Sequence, residues 1–543
     1  MKFLTISLSA SLFLLGCQTT TFNNVNNDEQ DVSILNDNIA SPIEISQALL
    51  KDETIDVIHP VADVQISLND DEVHVSADIW QEIRNKISFE IPENKRITSQ
   101  RNWYVKHPKY LDRVAKRAEP FLYYIVDELE KANMPVEMAL LPIVESAFDP
   151  FAYSHGRASG MWQFVPGTGK RFGMKQNWWY DGRRDVIAST QGAIKYLRYL
   201  HKYFDGDWML ALAAYNSGEG RVKRAMKNNA RKNKPTDFWS LDLPKETRAY
   251  VPKLLALADI VKRADFFNIK LYEIDNAPVI ATVDIKSQLD LAKAARLSEL
   301  SLAEFQRLNP GFNRWATDPD GPHYVVLPKT KVEKFETELA KLSENDRLSW
   351  QRYKIKNGDS LIKIAKKFHT TPELIGRVNN ISGTSIRAGK HLLIPVAAQA
   401  LDDYILSQEQ RLSKTQSRQR SGIKSTHVVK SGDTLWDISR SYNVSSRSIA
   451  KWNGMAPRDV IKPGQKLVIW QKAHLAQTIA KPAENAIMRN ITYRVRRGDS
   501  MARIADKFNV KISDIERWNS LNRKKYLQPG QMLKLSVDVT NSI

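Results

Sequence analysis

Cysteine is almost missing from this sequence: Cys17 is the single one among 543 residues. That excludes an intrachain disulfide framework and any cysteine-based zinc site, so neither bridges nor metal clips hold the domains together. Histidine is sparse as well, and His107, His155 and His201 stand isolated, without metal-ligand spacing. No glycine-rich phosphate loop occurs, and neither a metal nor a cofactor is expected. The one apolar run at the N-terminus is too short to cross a bilayer comfortably as a permanent helix. Acidic residues are scarce in the last third: residues 351–543 hold 35 basic and 14 acidic side chains, a net of +21, while the first 350 residues are near −2. A back third with all the excess positive charge suits an acidic partner, whether nucleic acid, a membrane surface or an anionic polymer. Nothing in it resembles a nucleic-acid-binding motif, so no nucleic-acid partner is expected.

What is present begins at the N-terminus. Met1-Lys2 leads into an apolar run that ends Leu14-Leu15-Gly16-Cys17, followed by polar, aperiodic Gln18-Thr19-Thr20-Thr21. This string resembles the bacterial lipobox, although Leu15, at the second position before the cleavage point, is larger than that motif's usual small residue. The resemblance implies a signal peptide over 1–16, lipidation of Cys17, and a flexible tether over 17–77. Several acyl chains, at about 0.8 kcal/mol per buried CH₂, anchor a protein stably. Gln18 after the cysteine implies an outer-membrane lipoprotein facing the periplasm. An ordinary signal peptide is the alternative.

Three segments repeat. Tyr353-Lys354-Ile355-Lys356-Asn357-Gly358-Asp359-Ser360-Leu361 aligns with His427 to Leu435 and with Tyr493 to Met501. From Asp to Asn is 20 residues each time, Asp359 to Asn379, Asp433 to Asn453 and Asp499 to Asn519, and a glycine follows at Gly389, Gly464 or Gly530. Ser360, Thr434 and Ser500 suit helix N-caps after the Gly-Asp turn, and Thr371-Pro372-Glu373 reads as cap, first-turn proline and dipole-matched acid. Each unit is therefore β-α-α-β. This resembles the LysM module, over 352–395, 426–470 and 492–536, which implies binding to N-acetylglucosamine-containing glycan. Loop residues Asp359, Ser360, Asp433, Thr434, Asp499 and Ser500 are then candidate glycan contacts. A spacer without ligand is the blander reading. The Gln/Ser/Arg-rich and Ala/Lys/Pro-containing stretches near 397–425 and 471–490 read as flexible linkers, which suit multivalent retention. Residues 269–330 follow the same rhythm without the Gly-Asp turn and read as a degenerate module.

Residues 78–268 differ: the periodicity is helical and seven of the 13 tryptophans lie here. An all-α domain is predicted, its aromatics serving either a thick core or a sugar-stacking groove. Glu145 ends the apolar run Met138-Ala139-Leu140-Leu141-Pro142-Ile143-Val144, where packing would strip its solvent, raise its pKa and suit it to general acid catalysis. Alone, such a Glu is more often a surface or helix-end carboxyl. Three further strings change the balance: Gly160-Met161-Trp162-Gln163-Phe164, Ala213-Ala214-Tyr215-Asn216-Ser217-Gly218 and Glu246-Thr247-Arg248-Ala249-Tyr250-Val251-Pro252-Lys253. In this order after Glu145-Ser146 they resemble the family 1 lytic transglycosylases, related in fold to goose-type lysozyme, over about 100–262.

The resemblance implies a lysozyme-like catalytic domain with Glu145 as catalytic acid/base. Ser146 orients the carboxyl or contacts substrate, Gln163, Tyr215 and Asn216 line the groove, and Tyr250 lies close to the Glu. Trp162 replaces a common Met and is expected to narrow or restack the groove, and Arg157-Ala158-Ser159 replaces smaller residues. The implied reaction cleaves peptidoglycan between N-acetylmuramic acid and N-acetylglucosamine and leaves 1,6-anhydro ends. Asp149, Asp181, Asp185, Glu219 and Glu246 keep a two-carboxylate hydrolytic muramidase open, and a non-catalytic wall tether is a third reading. The expected partners are glycan strands and a membrane, with the chain a monomer.

Overall fold

The structure is a computed structural model that describes residues 78–471, 488–496, 499–508, 510, 512–521 and 527–538. The leader, Cys17 and the tether, together with most of the 471–490 linker, lie outside the described residues.

The first domain is helical: α1 (Ile79–Lys86), α2 (Lys95–Lys106), α3 (Pro108–Lys131), α4 (Leu141–Ser146), α5 (Pro166–Arg171), α6 (Val186–Tyr203), α7 (Trp208–Ser217), α8 (Glu219–Ala230) and α9 (Lys245–Lys262). Helix α3 starts on Pro108, whose missing N–H costs nothing in a first turn. Its buried Leu111, Val114, Ala118, Leu122, Ile125 and Leu129 recur every three or four residues and form one apolar stripe. Helix α7 is nearly all apolar and sits in the middle, with Leu210 to Ala214 buried between α6, α8 and α9. The N-caps Asp185 and Asp207 fix where α6 and α7 begin, accepting from Ala188 N at 2.8 Å and Leu210 N at 2.9 Å. Of the tryptophans, Trp80, Trp162 and Trp179 are buried, so much of the aromatic richness is core.

Next come β1 (Ile280–Asp284), α10 (Leu291–Leu297), α11 (Leu302–Leu308), β2 (Tyr324–Pro328) and α12 (Val332–Ala340). The strands pair antiparallel, Ile280 opposite Pro328 and Asp284 opposite Tyr324, which makes this the β-α-α-β unit read as degenerate. It is joined firmly to the helical domain. Trp179 and Tyr180 are buried in its core, Tyr324 Oη donates to Asp185 at 2.9 Å, and Arg184 Nε donates to the Pro310 carbonyl at 2.9 Å.

Three further units follow: β3 (Ser349–Lys354), α13 (Leu361–Lys367), α14 (Pro372–Val378), β4 (His391–Val396); then, after α15 (Gln408–Ser417), β5 (Ile423–Val428), α16 (Leu435–Ser441), α17 (Ser446–Trp452), β6 (Lys466–Gln471); then β7 (Met488–Arg494), α18 (Met501–Lys507), α19 (Ile512–Asn519), β8 (Met532–Asp538). Each sheet has two antiparallel strands. The repeated asparagine explains its spacing. Asn453 Nδ2 donates to Ile449 O at 2.7 Å and Val468 O at 2.8 Å, while Oδ1 accepts from Val468 N at 2.7 Å. Asn379 and Asn519 clasp Leu393 and Lys534 in the same way, and Asn309 clasps Val326 in the degenerate unit.

The stretch near 397–425 is not a flexible linker. Tyr404, Leu406 and Ser407 are buried, and Tyr404 Oη donates to Asp290 at 3.0 Å. Gln408 N donates to Asn313 O at 2.9 Å, and α15 continues to the second repeat, where Gln416 Nε2 donates to Asn453 Oδ1 at 2.9 Å. The polar composition hid a few apolar and aromatic anchors that make this segment a strap.

Candidate active site

Helix α4 is one short, wholly buried turn and a half that carries Glu145 and Ser146 inward. It stops because Ala147 and Phe148 take left-handed φ values of 53° and 57°, conformations costing about 1–3 kcal/mol each for non-glycine residues. The surroundings hold them: Phe148 N donates to Pro142 O at 3.1 Å, and the Phe148 ring is fully buried.

Glu145 is 2% exposed. Its Oε1 accepts from Tyr250 Oη of α9 at 2.5 Å, and its Oε2, also buried, has no hydrogen-bond partner. Burial pushes the carboxyl up to about 8; the Tyr250 hydrogen bond opposes the rise, the Glu246 charge adds to it, and the Lys253 charge opposes it. Lys253, buried on α9, is pushed down to about 8 by burial against the opposing pull of Glu246 and Glu145. At neutral pH Glu145 therefore holds its proton and Lys253 its charge.

The other candidates gather round this carboxyl in distinct ways. Tyr215 Oη donates to the Trp162 carbonyl at 2.9 Å, and burial drives its pKa well up. Asn216 Nδ2 donates to Glu246 Oε1 at 3.1 Å, and its Oδ1 accepts from Thr247 Oγ1 at 2.8 Å. Ser146 Oγ does not bond the carboxyl of Glu145; it lies 3.0 Å from Met161 O and 3.2 Å from Pro142 O, pinning α4 to the 160–164 turn. Gln163, with φ of 49°, donates through Nε2 to Gly160 O at 2.7 Å and leaves Oε1 buried without a partner.

Segment 149–165 is the rim of this site: it carries Gln163 and offers the Met161 and Trp162 carbonyls to which Ser146 and Tyr215 donate. Gly160 has φ of 83°, and a Cβ there would sit 1.8 Å from the Arg183 carbonyl, so no other residue fits. Arg183 is held by Asp181 and donates to Arg157 O at 2.7 Å and Phe164 O at 3.1 Å. Trp162 corrects the expectation of a narrowed groove. Its ring is fully buried, with Nε1 donating to Thr190 Oγ1 at 3.1 Å, so the larger side chain fills core.

Sequence reasoning missed Lys253 as a participant. The available signal was a lysine inside the apolar run Val251-Pro252-Lys253-Leu254-Leu255, where burial is forced on a charge. A cavity of about 430 Å³ between Lys86, Glu130, Arg198 and Trp208 includes none of the candidate residues in its lining.

A family model, the Transglycosylase SLT domain, matches residues 123–238 and so contains Glu145. A second, described as the LysM-like domain of the lytic transglycosylase MltD, matches 279–344, and the LysM domain matches 353–395, 427–470 and 493–536. Membrane-bound lytic murein transglycosylase D of Escherichia coli (strain K12) is 35% identical over 534 residues, 98% of each chain. The chain belongs to the membrane-bound lytic murein transglycosylase D family. As a family member it is a peptidoglycan lytic transglycosylase, with a lysozyme-like helical domain, a degenerate LysM-like unit and three LysM modules. A putative tributyltin chloride resistance protein of Alteromonas sp. (strain M-1) is 41% identical over 200 residues, 36% of this chain and 95% of that one. The 70 kDa soluble lytic transglycosylase of Escherichia coli aligns at 20% identity over 32% of each chain, with a TM-score of 0.23.

In the LysM modules of the family, the loop candidates have structural partners here. Asp359 Oδ2 accepts from Tyr353 Oη at 2.8 Å and Lys356 N at 2.8 Å; Asp499 is held likewise by Tyr493 and Arg496, and Asp433 by His427 and Lys430. Ser360, Thr434 and Ser500 accept from the N–H groups of Lys363, Asp437 and Arg503, as N-caps do. These six side chains shape the Gly-Asp loop.

Proposed function

We propose that Glu145 alone serves as acid and then base in cleaving the β-1,4 bond from N-acetylmuramic acid to N-acetylglucosamine. The observation that carries this is the buried, protonated carboxyl with one oxygen on Tyr250 and the other without a partner. Oε2 gives its proton to the glycosidic oxygen as the C1–O bond breaks. The carboxylate so formed keeps the Tyr250 hydrogen bond and gains the attraction of Lys253, so charge is met where it develops. The muramic 6-hydroxyl then attacks its own C1 and returns its proton to Glu145. A 1,6-anhydro ring forms, the enzyme is restored, and no water is consumed. Asn216, and Gln163 through its unpartnered Oε1, are the groups proposed to hold substrate amide and hydroxyl groups.

The five other carboxylates considered for a hydrolytic site are otherwise engaged. Asp149 accepts from Phe151 N, Asp181 is paired with Arg183, Asp185 caps α6, and Glu219 accepts from Tyr199 and Arg171. Glu246 accepts from Asn216, and its charge raises Glu145. Mass spectrometry of digested murein tests the reading: anhydro ends absent from a Glu145→Gln digest support it, and water-added reducing ends from the wild type refute it.

The same proposal places the chain as a monomer on the outer membrane, facing the periplasm through lipid on Cys17, with the LysM loops beside Asp359-Ser360, Asp433-Thr434 and Asp499-Ser500 on the wall glycan. Cys17→Ala should move the protein from the membrane to the soluble fraction, and an unchanged fractionation would refute the anchor.

A further inference from the structure

The rim segment 149–165 is held on its inner side by the catalytic domain itself, through Ser146, Tyr215 and Arg183. Its outer side is held from elsewhere. Asp459, on the loop between α17 and β6 of the second LysM module, places Oδ1 2.7 Å from Arg157 Nε and accepts from Tyr153 Oη at 3.3 Å through Oδ2. Oδ2 also accepts from Ala456 N at 2.8 Å, which closes the loop that presents the carboxylate. The strap adds a second hold: the Arg411 guanidinium of α15 lies over the Phe151 ring, 4.9 Å from its centroid. The strap and module are fixed to each other through Gln416 and Asn453.

The point of contact matters because of what the rim does there. Arg157 has φ of 69°, a left-handed conformation that persists in a non-glycine residue only when its surroundings over-determine it. Its carbonyl accepts from Arg183 and its guanidinium is ion-paired with Asp459 without a hydrogen bond to Oδ1, so the module supplies one of the constraints, an ionic one. Ser159, two residues on, bridges to Tyr153 and Phe164, and Phe164 follows Gln163 directly. A shift of Arg157 is therefore passed along a short, hydrogen-bonded hairpin to the turn that Ser146, the neighbour of Glu145, pins at Met161.

We propose that the second LysM module is a positioning element of the catalytic cleft, with Asp459 as its positioning residue, beyond any role in retaining the enzyme on the wall. This rests on the cleavage reading above. Retention and positioning make different predictions for a short soluble substrate, which offers tethering nothing to hold.

The test uses the full-length protein and a soluble tetrasaccharide of alternating N-acetylglucosamine and N-acetylmuramic acid, with kcat and KM measured separately. Arg157→Ala and Asp459→Asn should each lower kcat about three- to tenfold, and the double variant should fall no further, since both remove one interaction. Arg157→Lys, which keeps a cation, should recover most of the loss. Arg157→Ala leaves the second module untouched, so the outcome does not hang on that module's folding. Variants that match an active wild type on the tetrasaccharide, or losses that add in the double variant, overturn the proposal. Wild type and Glu145→Gln run alongside: equal rates in those two sink the cleavage reading instead.

Discussion

Tyr250→Phe removes one oxygen and tests how the protonation of Glu145 is set. The phenol donates to Glu145 Oε1 at 2.5 Å in a buried site, and that hydrogen bond pulls the carboxyl's pKa down from where burial alone would put it. A hydrogen bond to a charged group contributes about 1.5–3 kcal/mol, so its loss should raise the carboxyl further above about 8, by an amount equivalent to about one to two pH units. Activity requires the protonated acid, so the alkaline limb of the kcat/KM profile, which falls as Glu145 loses its proton, should move to higher pH. The same hydrogen bond stabilises the carboxylate formed at bond cleavage, so kcat at neutral pH should fall about 10- to 150-fold. The assay is the initial rate of anhydro-muropeptide release from purified sacculi between about pH 5 and about pH 10, spanning the alkaline limb. An alkaline limb that moves down or stays fixed, or an unchanged kcat, would refute the reasoning. Glu246→Gln supplies the opposite perturbation. It removes the like charge that raises Glu145, so the alkaline limb should shift to lower pH.

Stability should follow the same proton. The folded pKa of Glu145 is raised from 4.5 to about 8, so its favourable contribution is fully present below pH 4.5 and is lost as pH rises toward 8. Glu145→Gln should therefore raise Tm at pH 8 or above and leave it nearly unchanged near pH 4, as calorimetry would show. Gly160→Ala, which drives a Cβ against the Arg183 carbonyl, should abolish activity and destabilise the catalytic domain by more than about 2 kcal/mol in a denaturant titration. Asn453→Ala loses four hydrogen bonds, three in a buried clasp and one from Gln416 of the strap, and should destabilise the second module by about 2–3 kcal/mol, read as faster amide exchange at Val468. Retention on sacculi should weaken as salt rises from about 0.05 to about 0.5 M, because screening weakens the attraction between the basic C-terminal third and an anionic wall; a pull-down without salt dependence contradicts that role.

The buried carboxyl proposed as acid/base could be read from the chain because its signal is local: an apolar run ending in Glu145, with three strings in fixed order behind it. The LysM repeats were equally legible, since Asp and Asn recur at constant spacing. What the asparagines do was not legible, because Asn379, Asn453 and Asn519 act across to a strand 14 or 15 residues later. The internal hold on Asp433 was not legible either: its partner His427 lies six residues before it and closes the Gly-Asp loop from within. Trp162 drew a groove reading because it is bulkier than the Met common at that motif position; the indole is instead buried, on Thr190, a partner 28 residues away in sequence. The strap over 397–425 was hidden by its composition. Its order comes from Tyr404 on Asp290 and from contacts with partners far away in sequence, which no window of residues displays.

The most direct test of the account is the fate of water in the products. Sacculi digested in heavy-oxygen water by the wild type should yield 1,6-anhydro muropeptides without the label, and Glu145→Gln should release none. Labelled reducing ends from the wild type, or anhydro ends at an undiminished rate from Glu145→Gln, would contradict a single-carboxyl, water-free cleavage at Glu145.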